Sequence, residues 1–204
     1  TNGTFKTKAI NEKNEQLFSE YQNVSALVNY DSANNVWYDK EVLKFEKDGK
    51  YGLIDFSGKQ VLAPEYDDIH TMAGIERTLV VEKGGKYGLY NSVSKSLFVD
   101  PIYVSIEAFG KTYNDGYLFK DENGKYGIIG SEGKVILANT YDKVFKFTGS
   151  DKYVVTDGLK TKLISKDGTV LLDSGFDEIT EINGDYLTVK KVGKYGVITT
   201  SGET

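Results

Sequence analysis

Few side chains in this 204-residue chain could do chemistry, and their spacing argues against most kinds of it. Cysteine is absent, which excludes disulfides, thiolate nucleophiles and cysteine-ligated metals. The one histidine, His70, follows Tyr66-Asp67-Asp68-Ile69, so a His-activated nucleophile or a multi-histidine metal site lacks its partners. It reads as a solvated loop residue. No serine sits in a Gly-x-Ser-x-Gly elbow, no glycine loop has the strand-to-helix setting of a phosphate site, and no Asp-x-Asp-x-Asp-Gly loop offers calcium ligands. The expectation is no catalytic residue, no metal and no cofactor. Carboxylates are the exception worth weighing: Asp67, Asp68, Asp142, Asp177 and Glu178 recur at equivalent places, and a ring of acids could serve a glycoside hydrolase. Recurrence in successive units is what a turn-capping role predicts, whereas a catalytic pair should break the symmetry.

The residues that do break the pattern are aromatic. Tyr30, Trp37 and Tyr38 lie in a polar stretch, and Trp37 is the only tryptophan. Aromatic side chains in such a setting can anchor a protein or carbohydrate partner, or pack the stretch against its neighbours. They are the candidate binding residues.

The elements around these residues follow from a repeat. Gly-Lys-Tyr-Gly occurs at residues 49–52, 85–88, 124–127 and 193–196, and a degenerate copy stands at 159–164. The apolar residues after each phrase, Leu53, Leu89, Ile128, Leu163 and Val197, are 36, 39, 35 and 34 residues apart. Each unit adds a Gly-containing turn, an apolar strand and an aromatic-acid pair, as in Ser57-Gly58-Lys59 to Tyr66-Asp67 and Asp167-Gly168-Thr169 to Phe176-Asp177. The second unit departs from this: its turn, Asn91 to Lys95, lacks Gly, and Tyr103-Val104 replaces the closing pair.

Within a unit, Leu43 and Phe45 alternate with Lys44 and Glu46, the two-residue period of a half-buried strand. Asp48-Gly49 and Gly84-Gly85 supply the positive φ of a tight reversal. Tyr51 and Gly52, Tyr87 and Gly88, Tyr126 and Gly127, and Tyr195 and Gly196 form the structural signature, a Gly within a strand leaving room for close approach by a neighbour. Such a unit cannot bury both faces alone, so neighbours must stack. The expected fold is all-β: repeated three-strand antiparallel meanders in a small β-propeller of about five blades, or six, with an open β-solenoid as the alternative. Residues 42–204 form the array and 1–41 an N-terminal segment. In that segment 15–24 is expected as a closing strand for the last blade, with a short amphipathic helix as its rival, and 25–40 as a non-repeat insertion.

Composition bounds the partners. Lys plus Arg number 25 against 30 Asp plus Glu, a net charge of -5, with no basic run, so nucleic acid is a poor partner. No apolar stretch reaches the roughly 20 residues of a membrane span.

The phrase Gly49-Lys50-Tyr51-Gly52-Leu53-Ile54-Asp55, with Gly58-Lys59, Ala63-Pro64 and Tyr66-Asp67, resembles the WG-repeat family of bacterial arrays, with Tyr in place of each Trp of the signature. The resemblance covers about four fifths of the chain. It implies an interaction role, often in multidomain or exported bacterial proteins, and no reaction. The expectation is therefore a non-catalytic binding or scaffolding module for a protein, peptide or glycan, extracytoplasmic or at the cell surface.

Overall fold

The computed structural model describes residues 9–146, 152–183, 185–201 and 203. These residues are all-β, contain no α-helix, and separate into two compact units at residues 1–113 and 114–204. The first unit opens with a hairpin of β1 (Ala9–Ile10) and β2 (Gln16–Leu17). Strands β3 (Asn23–Tyr30), β4 (Val36–Lys47), β5 (Lys50–Asp55) and β6 (Gln60–Tyr66) then form one antiparallel sheet in chain order. A second sheet holds β7 (Asp68–Thr71), β8 (Thr78–Lys83), β9 (Lys86–Asn91) and β10 (Ser96–Tyr103), after which comes β11 (Ser105–Ala108).

The second unit contains the meander β12 (Tyr117–Lys120), β13 (Tyr126–Ile129) and β14 (Val135–Tyr141). It continues with the four-stranded sheet β15 (Lys143–Lys146), β16 (Lys152–Asp157), β17 (Lys160–Ser165) and β18 (Val170–Phe176). It ends with the three-stranded sheet β19 (Glu178–Asn183), β20 (Tyr186–Lys191) and β21 (Lys194–Thr199). Antiparallel four-stranded meanders are the blade topology of β-propellers.

Three expectations are corrected. The sheets β3–β6, β7–β10 and β15–β18 are four-stranded rather than three-stranded, because the aromatic-acid pair is a junction: Tyr66 closes one sheet, and Asp68–Thr71 opens the next by pairing with β8. Residues 25–40 are no insertion; they supply most of β3 and the start of β4, with Asn29 opposite Trp37 and Val28 opposite Tyr38. Residues 15–24 form neither one strand nor a helix. Phe18 takes a positive φ of 55° and accepts the Tyr21 N–H in a turn at 3.2 Å, which breaks the strand and turns both rings onto the first sheet.

The stacking expected of the units is present within each of them. In the first, Leu27, Val42, Leu53 and Tyr66 of one sheet pack with Ile69, Leu79, Val81 and Tyr90 of the next. In the second, Val154, Leu163, Leu172 and Phe176 meet Ile179, Leu187, Val189 and Ile198. Each such aliphatic side chain contributes about 1.5–3 kcal/mol on burial. The far face of the first sheet is covered by Phe18 and Tyr21, the Tyr21 ring lying 4.2 Å from that of Phe45.

The glycine of the signature makes room for the outermost strand. Tyr126 pairs with Tyr141 but Ile128 with Leu137, so β14 spends four residues where β13 spends two. The bulge drives the Leu137 carbonyl toward Gly127, where a Cβ would stand 2.6 Å from that oxygen and 2.6 Å from the Phe119 ring. Gly52 is under the same pressure from Leu62 and Phe45. At Gly196, on an edge strand with no fourth partner among the described residues, the nearest atom to a Cβ would be 3.8 Å away.

An aspartate clasp fastens one sheet to the next. The Asp67 backbone N–H donates to the Glu82 carbonyl at 2.8 Å, its Oδ2 accepts the N–H of Gly84 in the β8–β9 turn at 2.7 Å, and its Oδ1 accepts from Lys50 Nζ in the preceding sheet. Asp142 repeats all three with Thr156, Gly158 and Lys125 at 2.8, 2.7 and 2.6 Å. Asp177 takes Lys190 and Val192 at 2.8 and 2.7 Å, with Lys160 Nζ at 3.7 Å. Val192 adopts φ 49°, a left-handed conformation that a β-branched residue resists.

Two predictions follow from this packing. Gly127→Ala is expected to destabilise the protein by roughly 1–3 kcal/mol, whereas Gly196→Ala gives no loss and a gain of up to about 1 kcal/mol, as read from urea unfolding. In the same assay Val192→Gly raises stability by about 1 kcal/mol, because it relieves the left-handed strain and keeps the N–H that Asp177 accepts.

Candidate binding cleft

The repeat carboxylates are occupied locally. Asp67 and Asp142 are spent on the clasps, and the lysine ammonium followed by the turn N–H holds each carboxyl below its ordinary range. Asp68 accepts from Lys44 at 3.1 Å and lies 3.3 Å from His70 Nδ1, on an exposed face. Glu178 is exposed at the start of β19. Among the described residues, no three or more His, Asp or Glu side chains converge to hold a metal ion.

The aromatic candidates divide between two faces of the β3–β4 hairpin. The hairpin is set by its turn, where Asp31 Oδ1 accepts the Ala33 and Asn35 N–H groups at 2.8 and 2.9 Å and Asn34 takes φ 61°. Bonding from Asn35 holds the Asp31 carboxyl below its usual range. Strand alternation then sends Val28, Tyr30, Val36 and Tyr38 to one face, where they are 45–61% exposed. Trp37 and its partner Asn29 go to the other, toward the β7–β8 connection.

Asn29 stitches that contact. Its buried amide donates to the Ile75 carbonyl at 2.9 Å, and its Oδ1 accepts the Gly74 N–H at 3.0 Å. Thr71 Oγ1 adds a bond to the Val28 carbonyl at 2.6 Å. The result is a cleft in two adjoining parts, both lined by Trp37, Ile75 and Glu76: one of 310 Å³ that reaches Arg77 and Ser92, and one of 600 Å³ that reaches Tyr113. Both volumes fall within the range of small-ligand sites. Tyr38 borders the smaller part and Tyr30 borders neither.

Sequence reasoning found Trp37 but missed Arg77 and Ser92. Arg77 is the only arginine in the chain, a signal available in the composition. It holds φ 65°, its guanidinium lies 5.1 Å from the Tyr113 ring centroid, and its carbonyl accepts the Ser92 N–H at 2.9 Å. Ser92 lies in the departing turn of the second repeat and is 1% exposed, and its hydroxyl has no hydrogen-bond partner among the described residues. The corresponding residue of the first sheet, Phe56, is 57% exposed.

The signature matches that of a known repeat, the WG containing repeat, at residues 51–87 and 163–195. Those two stretches are similar to the WG containing repeat. The second matched stretch begins in the degenerate copy, whose strands β16 to β18 keep the sheet although Thr161-Lys162 replaces Tyr-Gly. No curated protein matches the chain in sequence. Solved structures resembling this chain include a eukaryotic initiation factor, at 9% identity over 85% of this chain and 50% of the other, TM-score 0.48. Hsv2p of Kluyveromyces lactis follows at 11% over 86% and 75%, TM-score 0.38. A DUF4623 family protein of Bacteroides eggerthii stands at 14% over 88% and 55%, TM-score 0.34. The chain thus spans half the length of the initiation factor. No helix of the described residues is long and apolar enough to cross a membrane.

The clasps carry a pH dependence. Asp67 and Asp142 titrate below the unfolded value of about 3.9, so their stabilisation is present above that pH and is lost as pH falls through the folded values. Asp67→Asn and Asp142→Asn are expected to lower the thermal midpoint at neutral pH and to flatten its decline below about pH 4. An unchanged acid limb would separate these carboxylates from the clasp.

Proposed function

We propose that the chain is a non-catalytic binding module whose ligand occupies the cleft beside Trp37. The observation that carries this is convergence: the only tryptophan, the only arginine and a buried hydroxyl without a partner line one cavity, at the places where the chain departs from its repeat. Structural roles repeat from unit to unit, and a site built from singletons has no counterpart elsewhere in the array. The carboxylates that would serve a hydrolase are, by contrast, engaged with lysines and turn amides. A large aromatic beside a charged, planar guanidinium is the composition of binding hot spots. The resemblance of WG arrays to those of exported and multidomain bacterial proteins is what leads us to place the module outside the cytoplasm.

Because Trp37 is the sole tryptophan, its emission reports occupancy of the cleft without labelling. A compound selected from glycan or peptide arrays is expected to change that emission saturably. Trp37→Ala weakens its binding about thirtyfold, the equivalent of about 2 kcal/mol at a hot spot, as measured by calorimetry. Tyr195→Ala, on the last sheet, leaves affinity unchanged. Hits that bind without moving Trp37 emission place the ligand elsewhere, and the absence of hits removes the reading.

A further inference from the structure

We propose that the cleft is a saccharide site, in which a neutral pyranose stacks on Trp37 and places a hydroxyl against Ser92. The inference rests on the binding reading above and assigns its ligand class. Three features of the cleft select that class.

The first is the buried hydroxyl. Ser92 Oγ is buried and has no protein partner among the described residues, so a ligand group that bonds it offsets a desolvation cost. It can donate one hydrogen bond or accept two, and a sugar hydroxyl can meet it in either role. A carboxylate could only accept from it and an ammonium only donate to it, and either would bring a charge into the site.

The second is the mixture of charge. Asp39, Glu41 and Glu76 line the same cavity as Lys40 and Arg77, and no ion pair holds any of them among the described residues. A lining of both signs with the acids in slight excess disfavours an anionic ligand and suits a neutral, polar one. Both signs of side chain bond hydroxyls, and Arg77 presents its donors in a planar fork that spans two neighbouring oxygens.

The third feature separates a saccharide from a peptide. Peptides that add as a strand dock by main-chain hydrogen bonds to exposed backbone. Around this cleft the backbone is already used: the Ile75 carbonyl and Gly74 N–H are taken by the Asn29 amide, and the Arg77 carbonyl by Ser92 N–H. What remains is side chain, an aromatic face for the apolar side of a sugar ring and polar groups for its edge. The continuation toward Tyr113 gives room for a second ring, so a short oligosaccharide fits better than a monosaccharide.

Lactose, cellobiose, maltotriose and N,N′-diacetylchitobiose, titrated against the whole chain with Trp37 emission and calorimetry as readouts, test the assignment. At least one is expected to bind saturably, more tightly than its component monosaccharide. Ser92→Ala should weaken it at least tenfold while leaving the thermal midpoint of the free protein equal or higher, since it deletes an unpartnered buried hydroxyl. Arg77→Lys, which keeps charge and loses the fork, should weaken it as well. A thermal midpoint that falls in Ser92→Ala, with sugar affinity kept, overturns the assignment. Peptides that move Trp37 emission while all four sugars fail overturn the saccharide class and leave the binding module standing. Silence of Trp37 toward both overturns the two together.

Discussion

Three of the junctions between successive sheets depend on one carboxylate each. An antiparallel meander ends on an outer strand, and the chain must cross to the next sheet without leaving backbone groups unpaired. Asp67 and Asp142 meet that demand with three bonds each and Asp177 with two and a longer ion pair, reaching back to a lysine of the preceding phrase and forward to the turn of the following hairpin. This explains why the Gly-Lys phrase and the aromatic-acid pair recur together although they are separated in sequence. The lysine supplies the rear contact, the glycine-containing turn presents the forward N–H, and the aspartate joins them. As surface ion pairs, the lysine contacts are individually weak; the backbone N–H bonds to an ionised acceptor are the stronger part. The clasp therefore acts mainly on geometry, fixing where one sheet starts relative to the sheet before it.

The second junction shows what happens without it. Val104 occupies the aspartate's place and offers no acceptor, and the following turn, 121–125, is capped from within: Asp121 Oδ1 accepts the Lys125 N–H at 2.8 Å and its Oδ2 takes Asn139 Nδ2 at 2.7 Å. The capping demand is constant and its supplier changes. That is the behaviour expected if the backbone requirement, rather than the identity of the acid, is what the fold conserves from unit to unit.

The period, the strands and the role of the signature glycine were legible in the sequence because each is a local property: alternation sets the face, Asp48-Gly49 sets the turn, and a Gly beside an aromatic marks a close approach. Boundaries between units were not legible. Tyr66-Asp67-Asp68-Ile69 reads as one phrase, yet the sheet changes in its middle, since a strand and its successor can be contiguous in sequence while pairing with different neighbours. Residues 25–40 were misread for a related reason. They carry no repeat phrase, but β3 needs only alternation and a partner, and β4 is long enough at 12 residues to pair with both β3 and β5. Of the cleft, Trp37 was legible by rarity. Asn29, Arg77 and Ser92 were not, because their meaning arises only when the β3–β4 hairpin meets the β7–β8 connection.

Periodicity and specificity make opposite demands on such a chain. Every unit must present the same greasy faces to its neighbours, so residues that serve the stack are held to a common pattern, and a ligand that reads one place must find something the other units lack. The second unit provides it by abandoning the glycine of its turn. Asn91 Oδ1 caps the replacement turn by accepting from Val93 and Ser94 at 3.0 Å, and this carries Ser92 inward instead of outward like Phe56. The hairpin of the first sheet brings Trp37 to the same cavity. Under the binding reading proposed above, a repeat protein adds a site by editing one turn and lengthening one hairpin, and the buried hydroxyl without a protein partner is where such editing would favour a ligand over stability.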